Sequence, residues 1–315
     1  MSALTIKDLT ITLQTRAGHD ELVHGLDLAL EPGHVHGLAG ESGSGKTLTA
    51  LAILGLLPET MTATGSIRLG DDLNLLGAPR AVMNTVRGRR VAMVFQDPST
   101  SLHPQITIGR QLTDHMRHHL GLRKDEARAR AIELLHRVQL AAPEVALKKY
   151  PHQFSGGQRQ RIAIAVALAC DPSVLLADEP TTALDVTVQA EVLQLLRRLV
   201  DESGVAVLLV THDLGVMSAV ADTVTVMRQG HVVESAPRAQ LFTNPQDPYT
   251  KGLLEALPGS TIEESTDALV EDLLTDAGAQ SDAGAQSDAG PQSDAGPQSD
   301  AGAQSDAGPQ MGGTP

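Results

Sequence analysis

The chain has 315 residues, 41% of them hydrophobic, which suits one large domain or two small ones with a real core. Its longest apolar runs, 162–170 and 205–210, are far shorter than the roughly 20 residues that cross a bilayer. The first residues lack the basic and apolar regions of a signal peptide, and we expect a soluble chain that is not secreted. The single cysteine, Cys170, ends an apolar segment, and we expect a buried, inert thiol.

The net charge of −14 is unevenly distributed. Residues 260–315 hold eleven acidic residues and no basic ones, and residues 275–310 are six copies of the hexapeptide [TS]-D-A-G-[AP]-Q. Such a segment cannot bury enough apolar surface to offset chain entropy, so we predict a disordered acidic low-complexity tail at 260–315 and a folded domain at 1–259. The domain is close to neutral, which gives no argument for nucleic-acid binding.

The N-terminal part of the chain is predicted to form strands around one helix. Apolar and polar residues alternate over 4–13 and 22–30, which is typical of strands at a sheet edge. Further strands are predicted at 35–39, 65–69 and 91–95, and a helix at 48–57.

The loop between the strand at 35–39 and the helix at 48–57 has the sequence Gly40-Glu41-Ser42-Gly43-Ser44-Gly45-Lys46-Thr47, which fits G-x-x-x-x-G-K-[ST]. Its glycines permit positive φ and let several amide groups approach one anion. Lys46 adds a positive charge against the outer phosphates, and the Thr47 hydroxyl can ligate Mg²⁺. The strand before the loop and the helix after it are the context in which this motif binds a nucleotide.

After residue 98 the pattern changes to helices. Apolar residues recur at helical spacing over 106–120 and 124–140, so we predict a helical subdomain inserted at about 98–172. Three histidines in it could share a helix face and bind a metal: His115, His118 and His119. Because no carboxylate or cysteine completes such a site, we favour a solvated helix face.

The second half alternates strands and helices. Strands are predicted at 173–177, 205–211, 223–227 and 231–234, and helices at 162–169 and 186–201. This order predicts an α/β fold with a mostly parallel sheet and helices on both sides.

Polar side chains follow several of these buried strands. Asp178 and Glu179 end one strand, where Asp178 can orient Mg²⁺ and Glu179 can polarise an attacking water. Gln96 could reach the metal or its water, and His212 ends a neighbouring strand. Considered alone, Gln96 or His212 would be weak evidence for a site, because a lone histidine is more often structural.

These blocks together resemble the nucleotide-binding subunits of ABC transporters, from about Leu4 to Pro258. The resemblance also includes the signature Phe154-Ser155-Gly156-Gly157-Gln158 and Ala183-Leu184-Asp185. It implies a P-loop NTPase of ABC type, with a mostly parallel core, an antiparallel β edge and an inserted helical subdomain. It also implies a head-to-tail dimer that binds ATP between one subunit's phosphate loop and the other's signature.

The resemblance assigns roles to the residues of these motifs. Glu179 is the expected general base, and His212 positions the water and the γ-phosphate. Thr47, Gln96 and Asp178 arrange Mg²⁺, with Gln96 also counted as catalytic. Asp185 relays between the two sites. The signature residues contact ATP across the dimer: Ser155, Gly156, Gly157 and Gln158.

Within this family the chain is most similar to the peptide/nickel importer branch. The similarity covers the blocks at 95–102, 150–161 and 180–189, and Asn244-Pro245-Gln246-Asp247-Pro248-Tyr249-Thr250. The branch implies two membrane permease subunits, a substrate-binding protein and a second ATPase subunit, identical or paralogous. The expected location is the cytoplasmic face of the membrane, and the substrate is a peptide or nickel. A soluble assembly resembling the carbon–phosphorus lyase complex remains the alternative, and a non-catalytic regulatory subunit is disfavoured by Glu179.

The chain departs from the family pattern in three ways. No aromatic residue precedes Phe95, so His19 or Arg16 substitutes for the usual adenine-stacking side chain or the contact is missing. No cysteine cluster follows the block at 244–250, so no iron–sulfur cluster is expected. The acidic repeat tail is not a family feature.

Overall fold

The computed structural model describes residues 2–16, 18–71, 73–97, 101–182 and 184–256. The predicted tail at 260–315 lies outside these residues, and so do residues 98–100, where the helical insertion is predicted to begin. The predictions for those segments therefore stay predictions.

The described residues form two sheets and a set of α-helices. The strands are β1 (Leu4–Thr15), β2 (Gly18–Leu30), β3 (Val35–Ala39), β4 (Met61–Leu69), β5 (Leu73–Asn74), β6 (Val91–Val94), β7 (Val174–Asp178), β8 (Ala206–Val210), β9 (Thr223–Arg228) and β10 (His231–Pro237). The helices are α1 (Lys46–Ile53), α2 (Arg80–Val86), α3 (Ile108–Leu120), α4 (Lys124–Arg137), α5 (Pro143–Ala146), α6 (Gly156–Leu168), α7 (Val186–Ser203), α8 (Leu214–Val220), α9 (Arg238–Thr243) and α10 (Pro248–Glu255).

The larger sheet has the strand order β10-β9-β3-β8-β7-β6. Strands β9, β3, β8, β7 and β6 are parallel, and β10 pairs antiparallel with β9 at one edge. The carboxyl ends of the parallel strands therefore lie along one edge of the sheet, where ligands bind in open α/β folds. This confirms the α/β fold with a mostly parallel core.

The predicted antiparallel edge strands form a separate sheet, with the order β2-β1-β4-β5. One buried core lies between the two sheets and includes helix α1, through Ala50 and Ile53. A second core joins the other face of the large sheet to α3, α4, α6 and α7. Helix α1 is thus held between the sheets, directly after the glycine loop.

Helix α1 and the three histidines differ from their predictions. Helix α1 covers Lys46–Ile53 instead of 48–57, because Leu54 caps it and Gly55 turns the chain with φ of 59°. The three histidines of α3 do meet, but His115 is half-buried rather than solvated and contacts the carbonyl oxygen of Gly88 at 3.2 Å. Burial lowers the pKa of His115.

Candidate functional site

The phosphate loop follows β3 and packs closely against its surroundings. Gly40 has φ of 144° and Gly45 has φ of 98°, values that favour glycine. A Cβ at Gly40 would overlap the carbonyl oxygen of Met227, and one at Gly45 would overlap Val23. The glycines are therefore required both by the turn and by the strands that surround the loop.

Lys46 lies inside this loop and is only 6% exposed. Its Nζ donates hydrogen bonds to the carbonyl oxygens of Gly40 and Glu41, each at 2.8 Å, and to the Ser44 hydroxyl at 3.3 Å. Burial lowers the pKa of Lys46, and the nearby Glu179 and Asp178 carboxylates oppose that shift. The loop thus holds a buried positive charge in place through its own carbonyl groups.

Two of the three side chains predicted to arrange Mg²⁺ meet beside the loop. The Thr47 hydroxyl donates to Oδ1 of Asp178 at 3.2 Å. Asp178 is buried at the end of β7, and burial raises its pKa, while the Thr47 hydrogen bond opposes the shift. Hydroxyl and carboxylate oxygens are the ligands that Mg²⁺ prefers.

Glu179 lies at the centre of the catalytic residues predicted from the sequence. It has φ of 46°, an uncommon conformation for a residue other than glycine, and its amide donates to the carbonyl oxygen of Val210 at 2.8 Å. Oε1 is 2.8 Å from Nδ1 of His212, and Oε2 accepts from Nε2 of Gln96 at 2.7 Å. The three side chains end three neighbouring strands, β7, β8 and β6.

Thr182 is a contact that sequence reasoning missed. Its hydroxyl also donates to Oε2 of Glu179, at 3.0 Å. The only signal was its position three residues after Glu179. Gln96, predicted as both a metal ligand and a catalytic residue, is placed at Glu179 through its amide nitrogen.

The signature residues form the N-terminus of α6. The Ser155 hydroxyl accepts from the Gln158 amide at 3.3 Å, and the Gln158 side chain accepts from the Ser155 amide at 3.1 Å. This capping box leaves the Ser155 residue exposed at the helix end, where the helix dipole favours an anion. A Cβ at Gly157 would overlap Val188 of α7, a packing role that the sequence did not reveal.

Asp185 caps the neighbouring helix. Its carboxylate accepts from the Val188 amide at 3.0 Å, at the start of α7. The structure thus gives Asp185 a structural role, and the predicted relay between sites stays a prediction.

The remaining candidates lie apart from the catalytic residues or lack a metal site. His19 and Arg16 are exposed on the β1–β2 hairpin. Among the described residues no group of three or more His, Cys, Asp or Glu side chains could hold a metal ion.

Cys170 is buried, as expected, and burial raises its pKa to about 11. No helix in the described part of the chain combines the length and apolarity that spanning a bilayer requires.

Comparison with known proteins decides the family. The family model described as ABC transporter matches residues 23–182, which include the phosphate loop, the signature, Asp178 and Glu179. The chain belongs to the ABC transporter family. The chain is therefore an ATPase of the ABC type.

Curated relatives are similar over most of the ABC ATPase. A protein of Brucella abortus (strain 2308) named as a peptide import ATP-binding protein is 48% identical over 257 residues, 81% of this chain and 77% of the relative. The oligopeptide transport ATP-binding proteins AppD and OppD of Bacillus subtilis are 48% and 42% identical. AppD is matched over 75% of this chain and 72% of its own length, and OppD over 83% and 73%.

Solved structures share the fold. A dimeric post-hydrolysis state of the ATP-binding cassette MJ0796, bound to ADP and Pi, has a TM-score of 0.65 and 28% identity, covering 75% of this chain and 98% of that one. The cbiO1 structure from Clostridium perfringens, part of the cbiONQ transporter complex, also has a TM-score of 0.65, with 26% identity, 77% of this chain and 91% of that one.

Proposed function

We propose that this ABC ATPase is the ATP-binding subunit of an importer that takes up peptides. The observation that carries the chemistry is the meeting of Lys46, Thr47, Asp178 and Glu179 at the carboxyl edge of the large sheet. The names of the curated relatives, which are peptide import and oligopeptide transport proteins, support the direction and the substrate class.

Hydrolysis is assigned to two groups of residues, Lys46 with its loop and Glu179 with its hydrogen-bond partners. Lys46 and the loop amides hold the phosphates of ATP, and Glu179 accepts a proton from the attacking water as general base. His212 and Gln96, which bond to the two carboxylate oxygens of Glu179, orient that carboxylate. Since Thr182 bonds to the same carboxylate, it belongs to this group as a positioning residue.

The residues beside the phosphate loop fit a magnesium ion. The Thr47 hydroxyl and the buried Asp178 carboxylate, 3.2 Å apart, would hold it, with the Gln96 side-chain oxygen as a further ligand. When bound, Mg²⁺ supplies positive charge against the phosphate oxygens. The raised pKa of Asp178 also fits this role, because a buried carboxylate gains from a cation beside it.

A second ATPase subunit completes each site in this proposal. Ser155 and the amides of Gly156 and Gly157 present a helix N-terminus without a phosphate of their own. Head-to-tail pairing would bring that N-terminus onto the ATP held by the other subunit's loop. The dimeric MJ0796 structure with ADP and Pi supports this arrangement.

A groove between the core and the helical subdomain is the proposed contact for the permease subunits. Its lining includes Leu56 and Phe95, large apolar side chains that are 44% and 40% exposed, together with Leu102 and Val166. Large apolar side chains with this much exposed surface are typical of a site that contacts another protein. The chain would then lie at the cytoplasmic face of the membrane, bound to two permeases and coupled through them to a substrate-binding protein.

Reconstitution tests this proposal. The chain would be purified with the permease proteins that co-purify with it and placed in vesicles, with ATP inside and a binding protein plus labelled oligopeptide outside. We expect ATP-dependent peptide uptake that Glu179→Gln abolishes. Uptake of nickel chelate instead of peptide would overturn the substrate class, and ATP turnover without any association with permeases would overturn the transport role.

A further inference from the structure

The block Asn244-Pro245-Gln246-Asp247-Pro248-Tyr249-Thr250 has no part in the mechanism above, yet the structure ties it firmly to the β9–β10 hairpin. The Glu234 carboxylate of β10 accepts from the amides of Gln246 at 2.8 Å and Asp247 at 3.1 Å. Asp247 in turn caps α10 by accepting from the amides of Tyr249 at 2.8 Å and Thr250 at 3.4 Å. The block is therefore a rigid connection that fixes where the Tyr249 ring lies.

The Tyr249 ring faces the last residue of β9. The guanidinium carbon of Arg228 lies 4.7 Å from the ring centroid, within the range of a cation–π contact. Arg228 follows Met227, whose carbonyl oxygen leaves no room for a Cβ on Gly40. The end of β9 therefore backs directly onto the first residue of the phosphate loop.

Tyr249 also lies beside the second residue of that loop. Its hydroxyl is buried beside the backbone and the side chain of Glu41. Burial raises the pKa of Tyr249, and the Glu41 charge adds to the shift. The carbonyl oxygens of Gly40 and Glu41 are the two that hold Lys46. Contacts thus run from α10 through Tyr249, Arg228 and the loop start to the lysine.

We propose that Arg228 and Tyr249 are positioning residues for the phosphate loop. Because they lie against Gly40 and Glu41, they hold in place the two carbonyl groups that position the Lys46 ammonium. The block at 244–250 thereby makes ATP affinity depend on the C-terminal part of the domain. This inference rests on ATP binding at the loop and is independent of the transported substrate.

The test measures ATP affinity of the purified full-length chain. Breaking the contact with Arg228→Gln or Tyr249→Leu should raise the Kd for Mg-ATP about threefold to fivefold, which is the size of an exposed cation–π contact. Arg228→Lys and Tyr249→Phe keep a cation over a ring and should stay within about twofold of the unmodified chain. The Arg228→Gln/Tyr249→Leu double variant should bind Mg-ATP as tightly as the weaker-binding single variant, because the two changes break the same contact.

Two further measurements separate positioning from a loss of stability. In the assembled complex, KM for ATP should rise with kcat at saturating ATP unchanged, which a general loss of folded protein would not produce. The matched control is Lys149→Gln, which breaks the contact of Lys149 with the Phe154 ring at 5.7 Å and should leave the Kd unchanged. An unchanged Kd in both breaking variants overturns the proposal, as does a Kd that rises equally in the control or follows the Tm across all variants.

Discussion

Two glycine-rich turns in this protein each begin a helix, and they differ in what surrounds them. The phosphate loop before α1 encloses the buried Lys46 and lies beside the Asp178 carboxylate. The signature turn before α6 is exposed, and Ser155 and Gln158 cap each other there without a charged side chain between them. Both turns lie at a helix N-terminus, which favours an anion, but only the first of the two also holds a cation and the oxygen pair that we propose binds Mg²⁺.

The difference indicates that the two turns do unequal parts of the same task. A helix N-terminus carries only about half an elementary charge, which is weak against a polyphosphate in water. The phosphate loop adds the Lys46 charge and a desolvated setting, so it can bind ATP within one chain. We infer that the signature turn contacts ATP that another subunit already holds.

The largest expected effect comes from the base beside the first turn. Glu179→Gln keeps the shape and hydrogen bonding of the side chain but removes the proton acceptor, so turnover should fall roughly 10²-fold or more while ATP binding persists. The ATP-bound dimer should accumulate, because the γ-phosphate is not removed. Steady-state ATPase assays and gel filtration in ATP measure both, with the exposed Glu133→Gln as control. Turnover near the unmodified level would remove Glu179 from the mechanism.

The next effect separates the two turns directly. Lys46→Ala should weaken ATP binding by the isolated subunit at least about tenfold, a change of about 1.4 kcal/mol, because the loop loses its only ammonium. Ser155→Arg should leave that affinity within about threefold and still cut turnover of the complex by about tenfold or more, because it blocks the partner's phosphates.

Titration of the isolated subunit and ATPase assays of the complex provide the two measurements. If Ser155→Arg weakens binding to the isolated subunit as much as Lys46→Ala does, the signature turn binds ATP within its own chain. The comparison between the turns would then be wrong.

A stability effect should distinguish the two glycines of the signature. A Cβ at Gly157 would overlap Val188, so Gly157→Ala should destabilise the fold by about 1–3 kcal/mol, the usual cost of overpacking. A Cβ at Gly156 would meet Leu184 at 3.6 Å, an ordinary contact, so Gly156→Ala should be nearly neutral. Urea unfolding of both variants measures the difference, and equal stabilities would show that Val188 can move aside.

No aromatic side chain precedes the phosphate loop in the sequence to stack on the base of the nucleotide. Stacking on an aromatic side chain contributes about 1–3 kcal/mol per base in single-strand binding proteins, and no aromatic residue precedes Phe95. We expect ATP and GTP to bind within about tenfold of each other, a gap of about 1.4 kcal/mol. Titrating the isolated subunit with both nucleotides tests this. A preference for ATP beyond about a hundredfold would point to another group, with His19 and Arg16 the first to replace by alanine.

The sequence predicted the first turn well because its residues are contiguous and its flanking elements are regular. Strand ends also carried the prediction that Asp178, Glu179 and His212 share one edge, since parallel strands end on the same side. What escaped prediction depends on partners distant in the chain, such as Val188 against Gly157 and Arg228 against Tyr249. The N-terminal strands likewise gave no sign of forming a sheet of their own, because alternation reveals a buried face but not the neighbouring strand.

The smallest expected effect concerns the Asp178 carboxylate, which lies beside the phosphate loop and has no counterpart at the signature turn. Burial raises the pKa of this carboxyl in the fold above its unfolded value of about 3.9, so the fold disfavours the charged form. The resulting loss of stability is absent below the unfolded pKa and grows as the pH rises through the folded pKa. Asp178→Asn removes that loss, and without Mg²⁺ or nucleotide its Tm should exceed that of the unmodified chain at pH 7, by a margin that shrinks towards pH 4. A lower Tm for Asp178→Asn at pH 7 would mean that attraction to Lys46 outweighs the burial of the carboxylate. The phosphate loop would then be stabilised by its charges. Our inference is the opposite: the buried Asp178 carboxylate destabilises the loop until a metal ion binds beside it.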